Sequence, residues 1–187
     1  MSAHHKGVPA EEALEMLKEG NRRFVDSDSY CGNVCFTRRS LTADNGQHPF
    51  AAVVTCSDSR VIPEIVFSAG IGDIFTIRSA GNVVDGCTLG SLEYAVGHMG
   101  VNLVVVMGHR NCGAIVEAIK GFHERHSIEI INDIREGIGD ETDPEEAVRK
   151  NVLNSVRLIR EDIDYSEGSV VVGAIYDIRS GHVEFLT

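Results

Sequence analysis

Short runs of apolar, mostly β-branched residues constrain the fold of this chain more than any other feature. Four of them predict strands: Ala51–Thr55, Ile74–Ile77, Leu103–Met107 and Val170–Ile175. Their apolar residues occupy consecutive positions, which is typical of strands buried on both faces of a parallel sheet. A fifth run, His182–Leu186, follows a short turn and predicts an antiparallel hairpin strand at the sheet edge.

Helical patterns alternate with these runs. An N-terminal amphipathic helix is predicted by apolar residues at helical spacing: Ala10, Ala13, Leu14, Leu17 and Phe24. A long helix is expected after Pro144, and shorter helices are expected over Leu89–Met99 and Gly113–Phe122. The alternation predicts an α/β fold with a mainly parallel central sheet flanked by helices and an antiparallel C-terminal edge strand.

The length of 187 residues favours one domain with one sizeable core. We therefore expect a single domain over residues 1–187, in which residues 1–40 form an N-terminal helical arm. Residues 26–48 and 121–143 are polar and lack a clear period, so they are expected to be loops or a subunit-facing arm.

The charge of the chain narrows its possible partners. A formal net charge of -11 disfavours binding to nucleic acid or to an anionic membrane, because both would repel the protein. The first 25 residues hold no apolar stretch that could act as a signal peptide. No run approaches the roughly 18 apolar residues of a membrane helix. These observations predict a soluble cytoplasmic protein.

Five cysteines, an odd number, argue against a disulfide framework. Cys31 and Cys35 are expected to be free thiols in a loop, since no second pair accompanies them. Cys87 is expected to be a small buried residue. The remaining two, Cys56 and Cys112, each follow a predicted strand.

These two cysteines and His109 form a candidate metal site. Cys56 follows the first predicted strand, and His109 and Cys112 follow the third. If the two strands are neighbours, the three side chains converge at the carboxyl ends of the sheet, where α/β proteins usually place function. Two thiolates and one imidazole suit zinc and leave a fourth position open. Taken alone, however, the two cysteines could simply be buried.

Asp58 and Arg60 lie two residues apart on the loop that leaves the first strand. An arginine can hold a carboxylate through two parallel hydrogen bonds, which keeps it ionised and fixed as an acceptor. Such a carboxylate could orient a water activated by the metal. A purely structural loop salt bridge is the alternative reading, and the three neighbouring candidate ligands make it the weaker one.

The segments Cys56–Arg60 and His109–Gly113 together resemble the paired signature of the β-class carbonic anhydrases. Further resemblance lies at Arg78–Asn82, Ser91–Val96 and Gly173–Asp177, in the order and spacing of that family. The resemblance covers residues 50–187. It implies a Zn2+-dependent enzyme, assembled as a homodimer or a multiple of dimers, that hydrates carbon dioxide to bicarbonate.

The resemblance also implies residue roles. Cys56, His109 and Cys112 would bind zinc, Asp58 and Arg60 would be catalytic, and five further residues would contact substrate: Gln47, Phe75, Ala80, Tyr94 and Gly113. Gln47 stands nine residues before Cys56, as in the plant-like subgroup of the family. The bicarbonate-effector subgroup has a tryptophan three residues before that cysteine, where this chain has Val53. The resemblance thus favours an open resting site, with Asp58 held by Arg60.

Two other functions stay open at this stage. Relatives with the same zinc ligands hydrolyse carbon disulfide or carbonyl sulfide, and the ligands alone cannot separate these linear substrates. A zinc-stabilised interaction or sensor module without catalysis is the second alternative. It would be indicated by the loss of Asp58 or Arg60, and both are present.

Overall fold

The computed structural model describes residues 7–27, 29–30, 32–122, 124–162 and 168–186. Its strands are β1 (Ala51–Cys56), β2 (Ile74–Ser79), β3 (Leu103–His109), β4 (Val170–Tyr176) and β5 (Val183–Leu186). They form one sheet in the order β2-β1-β3-β4-β5. The first four strands are parallel, and β5 pairs antiparallel with β4. The predicted fold class is confirmed.

Helices cover both faces of this sheet. In chain order they are α1 (Ala10–Asp26), α2 (Phe36–Asn45), α3 (Pro63–Val66), α4 (Gly86–Glu93), α5 (Gly113–Lys120), α6 (Ile128–Ile138) and α7 (Pro144–Asp162). None of the helices within the described ranges combines the length and the apolar character needed to span a bilayer.

Successive side chains of β1 point to opposite faces of the sheet and so belong to different layers of the core. Ala51 and Val53 pack in a cluster with Leu17 of α1, whereas Ala52 and Val54 pack in a cluster with Val152 of α7. All six residues of β1 are buried, as expected for a strand covered on both faces. Continuing the alternation, the last residue of β1, Cys56, lies on the α7 side.

A close approach between β3 and α7 explains one glycine of the third strand. A Cβ atom at Gly108 would lie 2.6 Å from Cγ2 of Val152 and 3.3 Å from Cγ1 of Val148. Any side chain at this position would therefore push α7 away from the sheet. The glycine immediately before His109 lets α7 pack directly behind the end of β3.

Two segments expected to be loops contain helices. Residues 26–48 include α2, and residues 121–143 include α6. None of the ten residues of α2 is buried, so its sequence carries no apolar stripe that could have predicted it. Helix α6 does carry such a stripe, at Ile131, Ile134 and Ile138, so the expectation of a loop there is wrong.

Two smaller expectations are also corrected. The helix predicted over Leu89–Met99 begins earlier, as α4, and its second half is a π-helical turn, Tyr94–His98. Cys87 is exposed and not buried: it lies in the first turn of α4, whose buried residues are Thr88 and Leu92. The prediction for Cys31 lies outside the described residues.

Candidate metal centre

Three potential ligands lie together at the carboxyl ends of two adjacent strands. Cys56 is the last residue of β1, His109 is the last residue of β3, and Cys112 precedes α5. Because β1 and β3 are neighbouring parallel strands, their ends meet at one edge of the sheet. Each residue offers one ligand atom, a cysteine sulfur or a histidine ring nitrogen, and these three atoms lie within 4.8 Å of one another. The two sulfur atoms are 3.9 Å apart.

The His109 ring is oriented to act as a ligand. It is fully buried, and its Nδ1 lies 3.0 Å from the carbonyl oxygen of Arg110. A carbonyl only accepts, so Nδ1 carries the proton and Nε2 keeps a free lone pair. Nε2 has no hydrogen-bond partner among the described residues. A buried nitrogen without a partner is costly, and a metal ion facing it would remove that cost.

The two thiols are chemically coupled. A hydrogen bond from Cys112 lowers the pKa of Cys56 to about 4, with help from the backbone amides of Asp58 and Gly81. The same hydrogen bond, together with burial, raises the pKa of Cys112. The pair therefore holds one negative charge and one proton, and a cation bound to both sulfurs would release that proton. This donor set fits zinc.

Asp58 is held beside the cluster by Arg60. The Arg60 guanidinium donates from Nε to Oδ1 at 2.9 Å and from Nη2 to Oδ2 at 2.7 Å. The backbone amide of Arg60 adds a third bond to Oδ1 at 3.0 Å. These bonds hold the pKa of Asp58 well below its usual range, so the carboxylate stays ionised. Its Oδ2 lies 3.9 Å from Nε2 of His109.

Comparison with known proteins identifies the family. A family model described as carbonic anhydrase matches residues 51–183, well over half of the chain. The chain belongs to the β-carbonic anhydrase family. Carbonic anhydrase 2 of Mycobacterium tuberculosis is 44% identical over 112 residues, which are 60% of this chain and 54% of that protein. The chain thus spans about half the length of the curated mycobacterial relatives it matches.

Solved β-carbonic anhydrases share the fold. The Coccomyxa β-carbonic anhydrase in complex with acetazolamide is 26% identical, with a TM-score of 0.67 over 92% of this chain and 86% of that chain. A tetrameric β-carbonic anhydrase of Sordaria macrospora is 27% identical, with a TM-score of 0.60 over 80% of this chain and 91% of that chain.

The substrate residues suggested by the family resemblance lie in several places. Phe75 of β2 and Tyr94 of the π-helical turn form a ring pair with centroids 6.4 Å apart. Gln47 is exposed on the loop before β1, and Gly113 is exposed at the start of α5. Ala80 opens a 3₁₀ turn, Ala80–Asn82. Among the described residues, the hydrogen-bond partners of the Cys56 sulfur are Cys112, Asp58 and Gly81. Gln47 and Tyr94 are not among them.

Two residues at the site had no role assigned from the sequence. The Gly81 amide donates to the Cys56 sulfur at 3.3 Å. Arg78 donates from Nη2 to the carbonyl oxygen of Asp58 at 2.8 Å, which ties the loop after β1 to β2. Both residues belong to the segment Arg78–Asn82, whose resemblance to the family was the signal that could have marked them.

Proposed function

We propose that this chain catalyses the reversible hydration of carbon dioxide to bicarbonate and a proton, with zinc bound by Cys56, His109 and Cys112. One observation carries the proposal: three donor atoms within 4.8 Å of one another lie beside a carboxylate that Arg60 holds in place. Two thiolates and one imidazole are a set suited to zinc, and three protein ligands are typical of catalytic sites.

Zinc would supply a Lewis acid that makes water nucleophilic near neutral pH. The contribution of the protein would come from Asp58 and Arg60. An ionised carboxylate can only accept a hydrogen bond, so Asp58 would bind an O–H of the attacking water and point its lone pair toward the carbon. Arg60 would keep Asp58 ionised and prevent it from rotating away. Carbon dioxide gains the oxygen of that water, and one proton leaves.

The pocket around this centre is proposed to include the remaining residues of the family resemblance. Phe75 and Tyr94 would form an apolar wall suited to a non-polar gas, supported by their ring contact. Gly113 begins α5, where backbone amides have no acceptor within the helix, and its N–H would donate to substrate. Gln47 would donate to substrate, and Ala80 would leave room for it.

We further propose the plant-like, open resting state. Its support is the three hydrogen bonds that Arg60 makes to Asp58, since a carboxylate engaged in this way must break them before it can bind a metal. A crystal structure of the zinc-loaded protein near pH 7 tests the proposal. We expect Asp58 to remain paired with Arg60, and coordination of zinc by Asp58 would refute it.

A second copy of the chain is the proposed partner. Within the described residues, strand β2 has a neighbouring strand on one side alone, and most of its residues are half-buried. Helix α2 contacts the loop before β2 through Arg38, which donates to Asp73. On this helix Phe36 leaves 74% of its surface exposed and Leu41 leaves 52%. An open strand edge beside exposed apolar side chains suits an interface between subunits. The expected cytoplasmic location, the single domain over residues 1–187 and the arm formed by residues 1–40 stay predictions.

Stopped-flow measurement of carbon dioxide hydration on metal-analysed protein tests the proposed activity. We expect turnover in proportion to zinc content, and no turnover after chelation. The same preparation should be assayed for hydrogen sulfide released from carbonyl sulfide and from carbon disulfide. Sulfide release without carbon dioxide hydration would reassign the substrate. Full zinc occupancy with neither activity would indicate a non-catalytic zinc module.

A further inference from the structure

Helix α7 carries two polar residues inside the core. Asn151 and Ser155 lie four residues apart, so they share one face of the helix, and each is 3% exposed. Their neighbours on this face, Val152 and Val156, pack against the sheet. A buried polar side chain costs free energy unless it is hydrogen-bonded, so the partners of these two residues reveal their role.

Both side chains bond to the same short turn. Nδ2 of Asn151 donates to the carbonyl oxygen of Gly81 at 2.8 Å, and Oγ of Ser155 donates to the carbonyl oxygen of Asn82 at 3.3 Å. The turn has an unusual backbone, because Gly81 has a φ of 65° and Asn82 a φ of 49°. Left-handed conformations at consecutive residues persist only when surrounding contacts hold them.

The same turn contacts a zinc ligand. The amide nitrogen of Gly81 lies 3.3 Å from the Cys56 sulfur, while the carbonyl of Gly81 is the group that Asn151 binds. The peptide groups on either side of this one Cα atom are thus held by the ligand and by α7. A Cβ atom at Gly81 would lie 2.7 Å from Cδ1 of Ile134, so α6 also restricts the turn.

We propose that Asn151 and Ser155 are positioning residues of the metal centre. By holding the Ala80–Asn82 turn, they aim the Gly81 amide at the Cys56 sulfur and so set how strongly this thiolate binds metal. The proposal rests on the proposed function for the use of Cys56 as a ligand. Outer hydrogen bonds orient metal ligands, and their loss typically weakens metal affinity by about 10- to 100-fold.

A second buried asparagine provides a matched control. Asn21 of α1 is 6% exposed and donates from Nδ2 to the carbonyl oxygens of Val66 and Gly181, at 3.1 and 2.8 Å. It therefore has the same chemistry and a similar burial. Helix α1 packs on the face of the sheet opposite to α7, and the partners of Asn21 lie away from the ligands. Removing this side chain should harm stability alone.

The experiment compares Asn151→Leu with Asn21→Leu in the full chain. Two properties are measured: the zinc dissociation constant, by competition with a chelator, and the sulfur-to-cobalt charge-transfer band of the Co2+-loaded protein. A hydrogen bond stabilises the sulfur lone pairs. Asn151→Leu should therefore move the band to longer wavelength and raise the dissociation constant about tenfold. Asn21→Leu should change neither, although both variants should unfold at a lower denaturant concentration.

Ser155→Ala provides an independent variant if Asn151→Leu does not fold, because it deletes a single hydroxyl. It should shift the band in the same direction by a smaller amount, and Ser155→Thr, which keeps the hydroxyl, should restore it. An unchanged band and a dissociation constant within about twofold of wild type in a folded Asn151→Leu or Ser155→Ala would overturn the proposal. A wild-type protein that binds zinc but does not hydrate carbon dioxide would refute the proposed function and leave this test intact.

Discussion

The candidate metal centre and the β2 edge of the sheet differ in how much of their surface is buried within this one chain. At the centre, Cys56, His109 and Cys112 are all buried, and the two cysteines pack in one apolar cluster with residues of α5, α6 and α7. At the edge, β2 has one neighbouring strand in the part of the chain that the structure describes, and α2 buries none of its ten residues. The ligands are therefore fixed by contacts within the chain, whereas the edge leaves surface that the proposed second copy would cover.

This difference separates two parts of the proposed chemistry. Ligand geometry and the Asp58/Arg60 pair should be properties of a single subunit, because the hydrogen bonds that fix them lie within one chain. The proposed apolar wall of the substrate pocket includes Phe75 on the edge strand, and Tyr94, which forms a ring pair with it, is exposed. Substitutions at the centre should thus affect metal and turnover, and substitutions at the edge should affect assembly first.

The largest effect is expected for Cys56→Ala. This variant removes one of three metal ligands, so it should lose zinc and show no hydration above background. Metal content by elemental analysis, measured with turnover on the same sample, checks the result. Cys35→Ala is the control, because Cys35 is an exposed free thiol at the start of α2. Normal zinc content and activity in Cys56→Ala would show that the ligands are wrongly assigned.

Asp58→Asn should reduce turnover and leave the metal in place. An amide can donate toward the attacking water instead of only accepting from it, and it no longer forms the ion pair with Arg60. We expect turnover to fall by about 10²- to 10⁴-fold, the range for a lost proton-handling group. Arg60→Ala should act in the same direction by freeing Asp58. Loss of zinc at full structural integrity in Asp58→Asn would instead make this aspartate a ligand.

A smaller effect is expected at the edge, for the double variant Phe36→Glu, Leu41→Glu. Charges at an apolar interface should raise the subunit dissociation constant at least about tenfold, which corresponds to about 1.4 kcal/mol. Sedimentation velocity over a range of protein concentrations measures the shift. Leu153→Glu is the control, because Leu153 is a similarly exposed leucine on α7. Wild-type assembly in the double variant would place the interface elsewhere, and loss of zinc would contradict the separation of the two regions.

Sequence periodicity was sufficient for the parts of the fold that bury apolar residues. Strand β1 is buried at every position, and its consecutive apolar residues predicted a strand covered on both faces. Helix α2 could not be found in this way, because it packs through polar contacts such as the Arg38 guanidinium on Asp73 and on the carbonyl of Ile71. Helix α6 could have been found from the spacing of its buried isoleucines.

At the metal centre, too, some features can be predicted from local sequence pattern and others depend on contacts between distant segments. The sequence places Cys56 and His109 together on the condition that their two strands are neighbours, and the pairing of β1 with β3 meets that condition. The contact between the Gly81 amide and the Cys56 sulfur depends on a left-handed turn held by Asn151. That turn is stabilised by a helix distant in sequence, so local pattern could not reveal it.

X-ray absorption at the zinc edge, on the zinc-loaded wild-type chain, tests the central claim most directly, because it reports the ligands of the metal without an assay of turnover. We expect one zinc per chain with two sulfur ligands at about 2.3 Å and nitrogen or oxygen ligands at about 2.0 to 2.1 Å. Cys112→Ser, if it retains metal, should show one sulfur fewer. A spectrum with no sulfur ligand, or with four, would contradict a catalytic centre built from Cys56, His109 and Cys112.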